Sequence, residues 1–271
     1  MKTLYLFTLI IGFFFTLKVQ AQDPEKVSAA AEEAFKQRVK ILDEFFRRFN
    51  YEEGPNGKLP VDSSGTNRKT LLLSLFDETY AKSADNATKE HIKEFVNLVC
   101  NDKSPLRLNY HDKGWYAKSE WEAKLEGKPV KLILTLVTER EPNKSKWSIS
   151  SVEADFLEEI ELIDNTLSPV THDLDFSEIK KVLNAESGDL SGYAVDSYTN
   201  LPITKFFALI EGGYLKLEQA PRPTYVFTQI PGWVFELNYF ERKGDNTGWR
   251  IANLEKADEN RKAEHEKYLG L

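Results

Sequence analysis

The side chains best suited to bind a metal or transfer protons are concentrated in residues 172–178, which hold one histidine and three carboxylates. These are ligand types that zinc accepts. Their spacing is typical of a helix start, however. Asp175 and Glu178 are three residues apart, as in a capping box, and Leu174 with Ile179 matches the hydrophobic staple across the same turn. We therefore predict structural helix initiation here, with metal binding as the alternative.

The remaining motifs give no local support for an enzyme. The chain has no Gly-x-Ser-x-Gly elbow, no glycine-rich phosphate loop and no Cys–His nucleophile pattern. No two histidines have the spacing of a zinc-binding helix. We predict no catalytic residue, no metal ligand and no cofactor. The four histidines lie in four separate segments: His91, His111, His172 and His265.

Tryptophans alternate with small side chains on one face of a predicted strand over residues 115–125. Trp115, Ser119 and Trp121 are our candidate ligand-binding residues. Small side chains between tryptophans leave hollows that a close-packed interior would avoid, so this face could form the floor of a pocket for a sugar ring or an apolar ligand beneath the first helix. The alternative, and the more common outcome, is ordinary sheet core.

The chain contains an internal repeat. Residues 130–153 and 234–255 each consist of a long strand pattern, a polar turn and a second strand opened by tryptophan. Similarity at a fixed offset, here 102 residues (249 − 147), indicates duplication of a structural unit. The gapless offset pairs Glu139/Glu241, Arg140/Arg242, Trp147/Trp249, Ile149/Ile251 and Glu153/Glu255.

The first residues predict export. Lys2 precedes an apolar run over residues 4–17, which is followed by the small residues Val19 and Ala21. This is the pattern of a secretory signal peptide over residues 1–21, cleaved after Ala21. The alternative is a retained membrane anchor, but the run is short for one. We expect a periplasmic or extracellular protein with no membrane span after cleavage.

Composition indicates a soluble globular protein, with 41% hydrophobic and 29% charged residues. The net charge of −7 argues against nucleic acid as a partner, because nucleic-acid surfaces require basic patches. Cys100 is the only cysteine, so no intramolecular disulfide is available. It falls at helical spacing with apolar residues, which predicts a buried structural thiol.

The hydrophobic periodicity predicts helices followed by strands, twice. The first unit, residues 22–162, has helices over residues 23–50, 68–82 and 86–101 and strands over 106–110, 115–125, 130–140 and 147–153. The second and shorter unit, residues 163–258, has a short helix near residue 180, a helix over 200–211, and strands over 214–217, 225–230, 233–240 and 249–254. Residues 259–271 form a charged tail, predicted to be a solvated helix or frayed.

This order resembles the NTF2-like (cystatin-like) α+β superfamily. Residues 45–50, the leucine-rich helix with Phe76 and Asp77, and residues 171–176 are similar to exported tandem NTF2-like proteins of Bacteroidetes. The resemblance implies two tandem α+β units, each with helices packed on a curved antiparallel meander that forms a cone with a pocket. The same fold serves both enzymes and pure binding modules, so it does not decide the function.

In NTF2-like enzymes of the isomerase and dehydratase kind, a base and a tyrosine lie in the cone. The best matching candidates are Glu236 and Asn238, which alternate with Phe235 and Leu237 and so lie on the other face of their strand. The alternative is that this face is simply solvated.

The function predicted from the sequence is an exported, non-enzymatic binding module whose partner is a small molecule, a glycan or an envelope protein. An isomerase- or dehydratase-like enzyme that uses the cone pocket is the second hypothesis. A structural or assembly protein of the cell envelope is the third.

Overall fold

The computed structural model describes residues 41–54, 57–58, 60, 65–141, 144–158, 194, 201–219, 221–243, 246–266 and 268–269. The predicted signal peptide and the segment 172–178 lie outside them. The helices are α1 Leu42–Phe49, α2 Gly65–Ser74, α3 Glu78–Ser83, α4 Asn86–Val99, α5 Leu201–Glu211 and α6 Glu259–Glu266, with a 3₁₀ turn at Asp155–Leu157. The strands are β1 Trp115–Leu125, β2 Lys128–Glu141, β3 Lys144–Glu153, β4 Leu215–Leu217, β5 Thr224–Phe227, β6 Trp233–Phe240 and β7 Gly248–Lys256.

The fold is α+β, with seven antiparallel strands in one open sheet. The strand order is β3-β2-β1-β5-β6-β7, and β4 pairs with the end of β1 that β5 does not reach. Strand β1 turns into β2 at Glu126 and Gly127, whose φ angles of 49° and 83° are those of a tight hairpin turn. Because β1 pairs with β5, strands from both predicted units belong to the same sheet.

The predicted helix over residues 68–82 is wrong as a single element. The helix is interrupted between α2 and α3. There the Ile251 N–H donates to the Leu75 carbonyl, and the Asp77 N–H donates to the Ile251 carbonyl. The Asp77 side chain then caps α3 by accepting from the Tyr80 N–H at 2.8 Å. Pairing with the edge of β7 therefore replaces one helical turn.

The predicted strand over residues 106–110 is also wrong. The backbone of Leu108 bonds to a side chain: Asn50 Oδ1 accepts from the Leu108 N–H and Asn50 Nδ2 donates to the Leu108 carbonyl, both at 2.8 Å. An amide side chain thus occupies the place that a neighbouring strand would take.

The β2–β3 hairpin contains a bulge. Thr135 pairs with Ser151 and Leu136 with Ile149, so Ser150 is the extra residue. An extra residue in one strand of an antiparallel pair bends that strand and increases its twist. The bulge therefore fixes the curvature of this half of the sheet.

The β6–β7 hairpin has its bulge at the equivalent position. Glu236 pairs with Asn253 and Leu237 with Ile251, which makes Ala252 the extra residue, at the same 102-residue offset from its counterpart (252 − 150). Trp147 and Trp249 each lie two residues before Ile149 and Ile251, so they occupy equivalent positions in the two hairpins.

The register corrects part of the gapless alignment. Trp147 pairs with Thr138 and Trp249 pairs with Tyr239, so the first strands of the two hairpins align at an offset of 101 (239 − 138). The pairs Glu139/Glu241 and Arg140/Arg242 are therefore one residue out of register. The loop that joins β6 to β7 takes up the additional residue.

The sheet has an approximate two-fold axis between its two central strands. Ala117 pairs with Leu136, and Tyr225 pairs with the equivalent Leu237. Ala117 and Tyr225 also pair with each other, so exchanging the two halves returns this pair to itself.

The two halves interlock at the outer strands. Helix α4 packs against β7 of the second half, and α5 packs against β3 of the first. At each outer edge a residue from the other half forms an isolated parallel bridge: Phe76 with Ile251, and Ala194 with Ile149. Each half therefore supplies the cover for the other half's last strand.

Helices α1 to α5 cover one face of the sheet and form the main core with it. Cys100 is 3% exposed in this core, which confirms the predicted buried thiol. The opposite face, here called the open face, carries a smaller apolar cluster that includes Tyr116 and Val226 beneath Tyr268 and Leu269. Among the described helices, none combines the length and apolar character needed to cross a membrane.

Candidate functional site

A cavity of about 540 Å³ lies on the open face beside α6. We call it the open-face pocket. Strands β1, β2, β5 and β6 form its floor and α6 with the following turn forms one wall. Its lining includes Tyr116, Lys118, Glu236, Arg261, His265 and Tyr268.

Tyr116 and His265 form a hydrogen-bonded pair in this pocket, with 2.7 Å between the phenol oxygen and Nδ1. Burial raises the pKa of Tyr116 far above its ordinary value. Burial, together with the charge of Arg261, lowers the pKa of His265. Both groups are therefore uncharged at neutral pH.

Among the described residues, His265 Nε2 is buried and has no hydrogen-bond partner. Leaving a buried polar atom without a partner costs about 1–3 kcal/mol. Such atoms are uncommon in folded proteins and each calls for an explanation.

Glu236 lies on β6 with its side chain at the pocket. Burial raises the pKa of Glu236, and a hydrogen bond with Asn253 opposes part of that rise. The predicted face of β6 is therefore partly buried at this position. The other residue predicted there, Asn238, accepts a hydrogen bond from Thr224 Oγ1 at 2.8 Å.

Helix α6 is held against the sheet by contacts from three directions. Arg261 Nε donates to Glu255 at 2.8 Å, and Lys262 Nζ donates to the Ile230 carbonyl at 3.1 Å. Past the helix, Ser150 Oγ donates to the Tyr268 carbonyl at 2.6 Å, and the Tyr268 ring lies 5.4 Å from that of Tyr116. The predicted charged tail thus contains a helix that builds the pocket.

The three predicted ligand-binding residues are buried in the sheet: Trp115 is 2%, Ser119 3% and Trp121 0% exposed. Trp121 Nε1 donates to Ser119 Oγ at 2.8 Å, and the ring of Phe46 meets Trp115 edge to face at 5.5 Å. Trp115 and Trp121 belong to the main core, and Ser119 also contributes to the lining of the open-face pocket. Their role in ligand binding stays a prediction.

Sequence reasoning missed Tyr116, His265 and Tyr268. A signal for Tyr116 was present: it is the one aromatic residue among Lys118, Glu120, Glu122 and Lys124 on the polar face of β1. The two C-terminal residues had no such signal, because the tail has almost no apolar stripe.

No metal centre is present in the described part of the chain, where no three His, Cys, Asp or Glu side chains are grouped closely enough to hold an ion. Two of the other histidines contact aromatic rings: His91 lies 5.8 Å from Trp233 and His111 lies 5.4 Å from Tyr110. His172 lies outside the described residues.

Comparison of the chain with protein-family models, with curated proteins and with solved structures gave no match. Function is therefore inferred from the residues themselves.

Acidification is expected to destabilise the protein through His265. Its folded pKa lies below the unfolded value of about 6.5, so the unfolded chain binds more protons between the two values. Stability from this group is complete above the unfolded pKa and is lost as the pH falls through the folded pKa. Thermal unfolding at pH 8 and pH 5 measures this effect. The Tm of His265→Gln should fall by less between pH 8 and pH 5 than the Tm of the wild type. Equal losses would contradict the assignment.

Proposed function

We propose that this chain is an exported, non-enzymatic binding module for a small polar ligand, and that its site is the open-face pocket. The observation that carries this proposal is that His265, a residue of the pocket lining, has a buried Nε2 with no hydrogen-bond partner among the described residues. A ligand that hydrogen-bonds to this atom recovers the free energy that burial has cost. The cavity, at about 540 Å³, has the size typical of small-molecule sites.

The lining groups favour a polar ligand rich in hydroxyl or amide groups, because side chains of both charges, including Lys118, Glu120 and Arg261, lie around Tyr116 and His265. Tyr116 and His265 are kept uncharged by burial, and burial also raises the pKa of Glu236. These side chains supply donors and acceptors, while the rings of Tyr116 and Tyr268 supply flat apolar surface. A sugar or a small glycan has this combination of polar edge and apolar face.

The proposal that the protein is exported rests on its first residues. Lys2, the apolar residues 4–17 and the small residues at positions 19 and 21 support a cleaved signal peptide. The protein would then meet its ligand in the periplasm or outside the cell.

A thermal-shift screen of sugars, peptidoglycan fragments, bile acids and lipids tests the proposal on the chain from Gln22 onward. Binding to the native state raises Tm. A ligand of the open-face pocket should bind His265→Ala at least about tenfold more weakly, the loss of one good hydrogen bond. Glu266→Ala changes an exposed neighbour on the same helix and should bind normally.

The result against this site would be full affinity in His265→Ala. Ligand-induced NMR shifts at the indole N–H groups of Trp115 and Trp121, with none at His265, would instead support the pocket predicted on the helix-covered face.

An acid–base enzyme is the second candidate, because Glu236 and Tyr116 share one cavity and burial raises the pKa of both. Mass spectrometry of each screening hit after prolonged incubation separates the two functions. An unchanged ligand supports binding, whereas a product lost in Glu236→Gln supports catalysis.

For the architecture, we propose two interlocked NTF2-like repeats. The equivalent bulges at Ser150 and Ala252 and the exchange of α4 and α5 between the halves support duplication. An experimental structure in which residues 115–153 fail to superpose on residues 224–256 would refute it.

A further inference from the structure

Helix α6 and the turn that follows it form one wall of the open-face pocket, but few side chains attach them to the sheet. All eight residues of α6 are described, and none of them is buried. Six are exposed, and only Lys262 and His265 are half-buried. A helix that belongs to a protein core hides a continuous apolar stripe. Helix α6 lacks such a stripe over its described length, so the main core does not hold it in place.

The chain passes from the sheet to α6 within one residue. Ala257 is 2% exposed, and its N–H donates to the Gly232 carbonyl at 2.9 Å. The next residue, Asp258, is exposed, and its carboxylate caps α6 by accepting from the Arg261 N–H at 2.8 Å. A change of the backbone angles at Asp258 would therefore move α6 as a rigid body and leave β7 in place.

Two of the contacts that hold α6 can be given up at low cost. The Ile230 carbonyl accepts from Lys262 Nζ and also from the Trp233 N–H, both at 3.1 Å, so it keeps a partner when the lysine leaves. The side chains of the ion pair between Arg261 and Glu255 are 49% and 36% exposed, so water can replace this contact. Opening therefore avoids the cost of an unsatisfied buried group at both places.

The third contact has a substitute within the sheet. Ser150 Oγ donates to the Tyr268 carbonyl at 2.6 Å, and it also lies 3.2 Å from the Thr135 carbonyl. A hydroxyl group has a single proton to donate. Ser150 can therefore donate to Thr135 once Tyr268 has moved away.

The closed position is favoured by two side chains and opposed by one atom. Tyr268 and Leu269 are half-buried against the small apolar cluster of the open face, and Lys118 Nζ lies 5.0 Å from the centre of the Tyr268 ring. Against this, His265 Nε2 is buried without a hydrogen-bond partner within the described part of the chain, and opening would give it water. Opening also breaks the bond between His265 and Tyr116, but water then reaches both groups. The two positions therefore differ little in free energy, which is the condition for local opening of a folded protein.

We propose that α6 with Tyr268 and Leu269 is a lid hinged at Asp258, which opens while the sheet stays folded and admits ligand to the open-face pocket. The admission of ligand rests on the proposed function, whereas the opening itself does not. A ligand that bonds to His265 Nε2 removes the cost that this atom adds to the closed position, so binding shifts the lid towards closed. The lid then controls how long the ligand stays bound.

Thiol labelling of Val226→Cys, in the chain from Gln22 onward, tests the lid without any ligand. Val226 is 4% exposed, lines the pocket and belongs to the apolar cluster against which Tyr268 packs. The aromatic disulfide DTNB, which reacts by thiol–disulfide exchange, should reach a thiol at this position when the lid opens.

Cys100 provides the internal reference, because it is 3% exposed in the main core and reacts only when that core opens. The wild type gives the Cys100 rate alone. With each rate divided by that of the urea-unfolded chain, we expect the thiol of Val226→Cys to react at least about tenfold faster than Cys100.

A matched pair of substitutions assigns the opening to the lid. Tyr268→Ala, added to Val226→Cys, removes the ring that holds the lid closed and should speed labelling at position 226 at least about tenfold. Tyr214→Ala deletes a tyrosine that is 54% exposed and lies outside the pocket lining, and it should leave this rate unchanged. The rate at Cys100 should be the same in both variants, because neither substitution alters the main core.

Two results would overturn the lid. One is equal labelling at position 226 and at Cys100, a comparison that requires no substitution in the lid itself. The other is an equal effect of Tyr268→Ala and Tyr214→Ala, which would show that the reagent enters through the mouth of the pocket. Neither result bears on the proposed function. Full affinity of a screening hit for His265→Ala would instead remove the proposed binding site and leave the lid standing.

Discussion

Replacing Trp121 by alanine is expected to lower the free energy of unfolding by about 3–5 kcal/mol, the usual cost of deleting a large buried aromatic side chain. Trp121 is 0% exposed and belongs to the main core. The substitution also leaves Ser119 Oγ, 3% exposed as a residue, without its indole donor at 2.8 Å. Urea unfolding followed by circular dichroism measures the change, with the midpoint shift as the readout.

Trp121→Phe is the matched control, because it keeps an aromatic ring and removes the N–H donor. We expect it to cost clearly less than the alanine variant. If Trp121→Ala lowers the free energy of unfolding by less than about 1 kcal/mol, Trp121 does not fill the space that its burial indicates. The predicted pocket on this face then gains support.

Replacing Asn50 by alanine is expected to cost about 2–6 kcal/mol. Its side chain donates to the Leu108 carbonyl and accepts from the Leu108 N–H, and both residues are buried. Alanine leaves two buried backbone groups without partners, and each costs about 1–3 kcal/mol. The same unfolding assay measures the loss.

Asn101→Ala provides the comparison. The Asn101 side chain also accepts from backbone N–H groups, those of Lys103 and Ser104, but this turn is exposed and water can replace the lost bonds. We expect a cost below about 1 kcal/mol there. Similar costs for the two variants would show that burial at Leu108 does not matter.

The strands could be predicted from the sequence where alternation was regular. The predicted strand over residues 115–125 has the same bounds as β1, since one face is mostly apolar and the other is charged from Lys118 to Lys124. The predictions for residues 106–110 and 68–82 were wrong because the partners of these residues are remote in sequence. Asn50 binds Leu108 across 58 residues, and Ile251 breaks the helix at Leu75. No local pattern reports such contacts.

The candidate site was predictable only in part. Alternation along β6 placed Glu236 on the face opposite Phe235 and Leu237, and the structure shows that this is the open face and not the helix-covered face where a cone pocket was expected. The contact between Tyr116 and His265 joins residues 149 positions apart and depends on how α6 docks. Neither residue has a neighbour in sequence that indicates this contact.

The exchange of helices between the halves has a consequence for folding kinetics. Helix α4, which ends at Val99, packs against β7, whose first residue is Gly248, and β1 pairs with β5 across more than 100 residues (224 − 118 = 106). Contacts this distant give a high contact order, and loop closure must precede the gain from packing, so we expect slow folding. The N-terminal half cannot complete its core during synthesis, because β7 leaves the ribosome last among the strands. A chain that stays unfolded until its synthesis is nearly complete is also one that a translocation channel can accept.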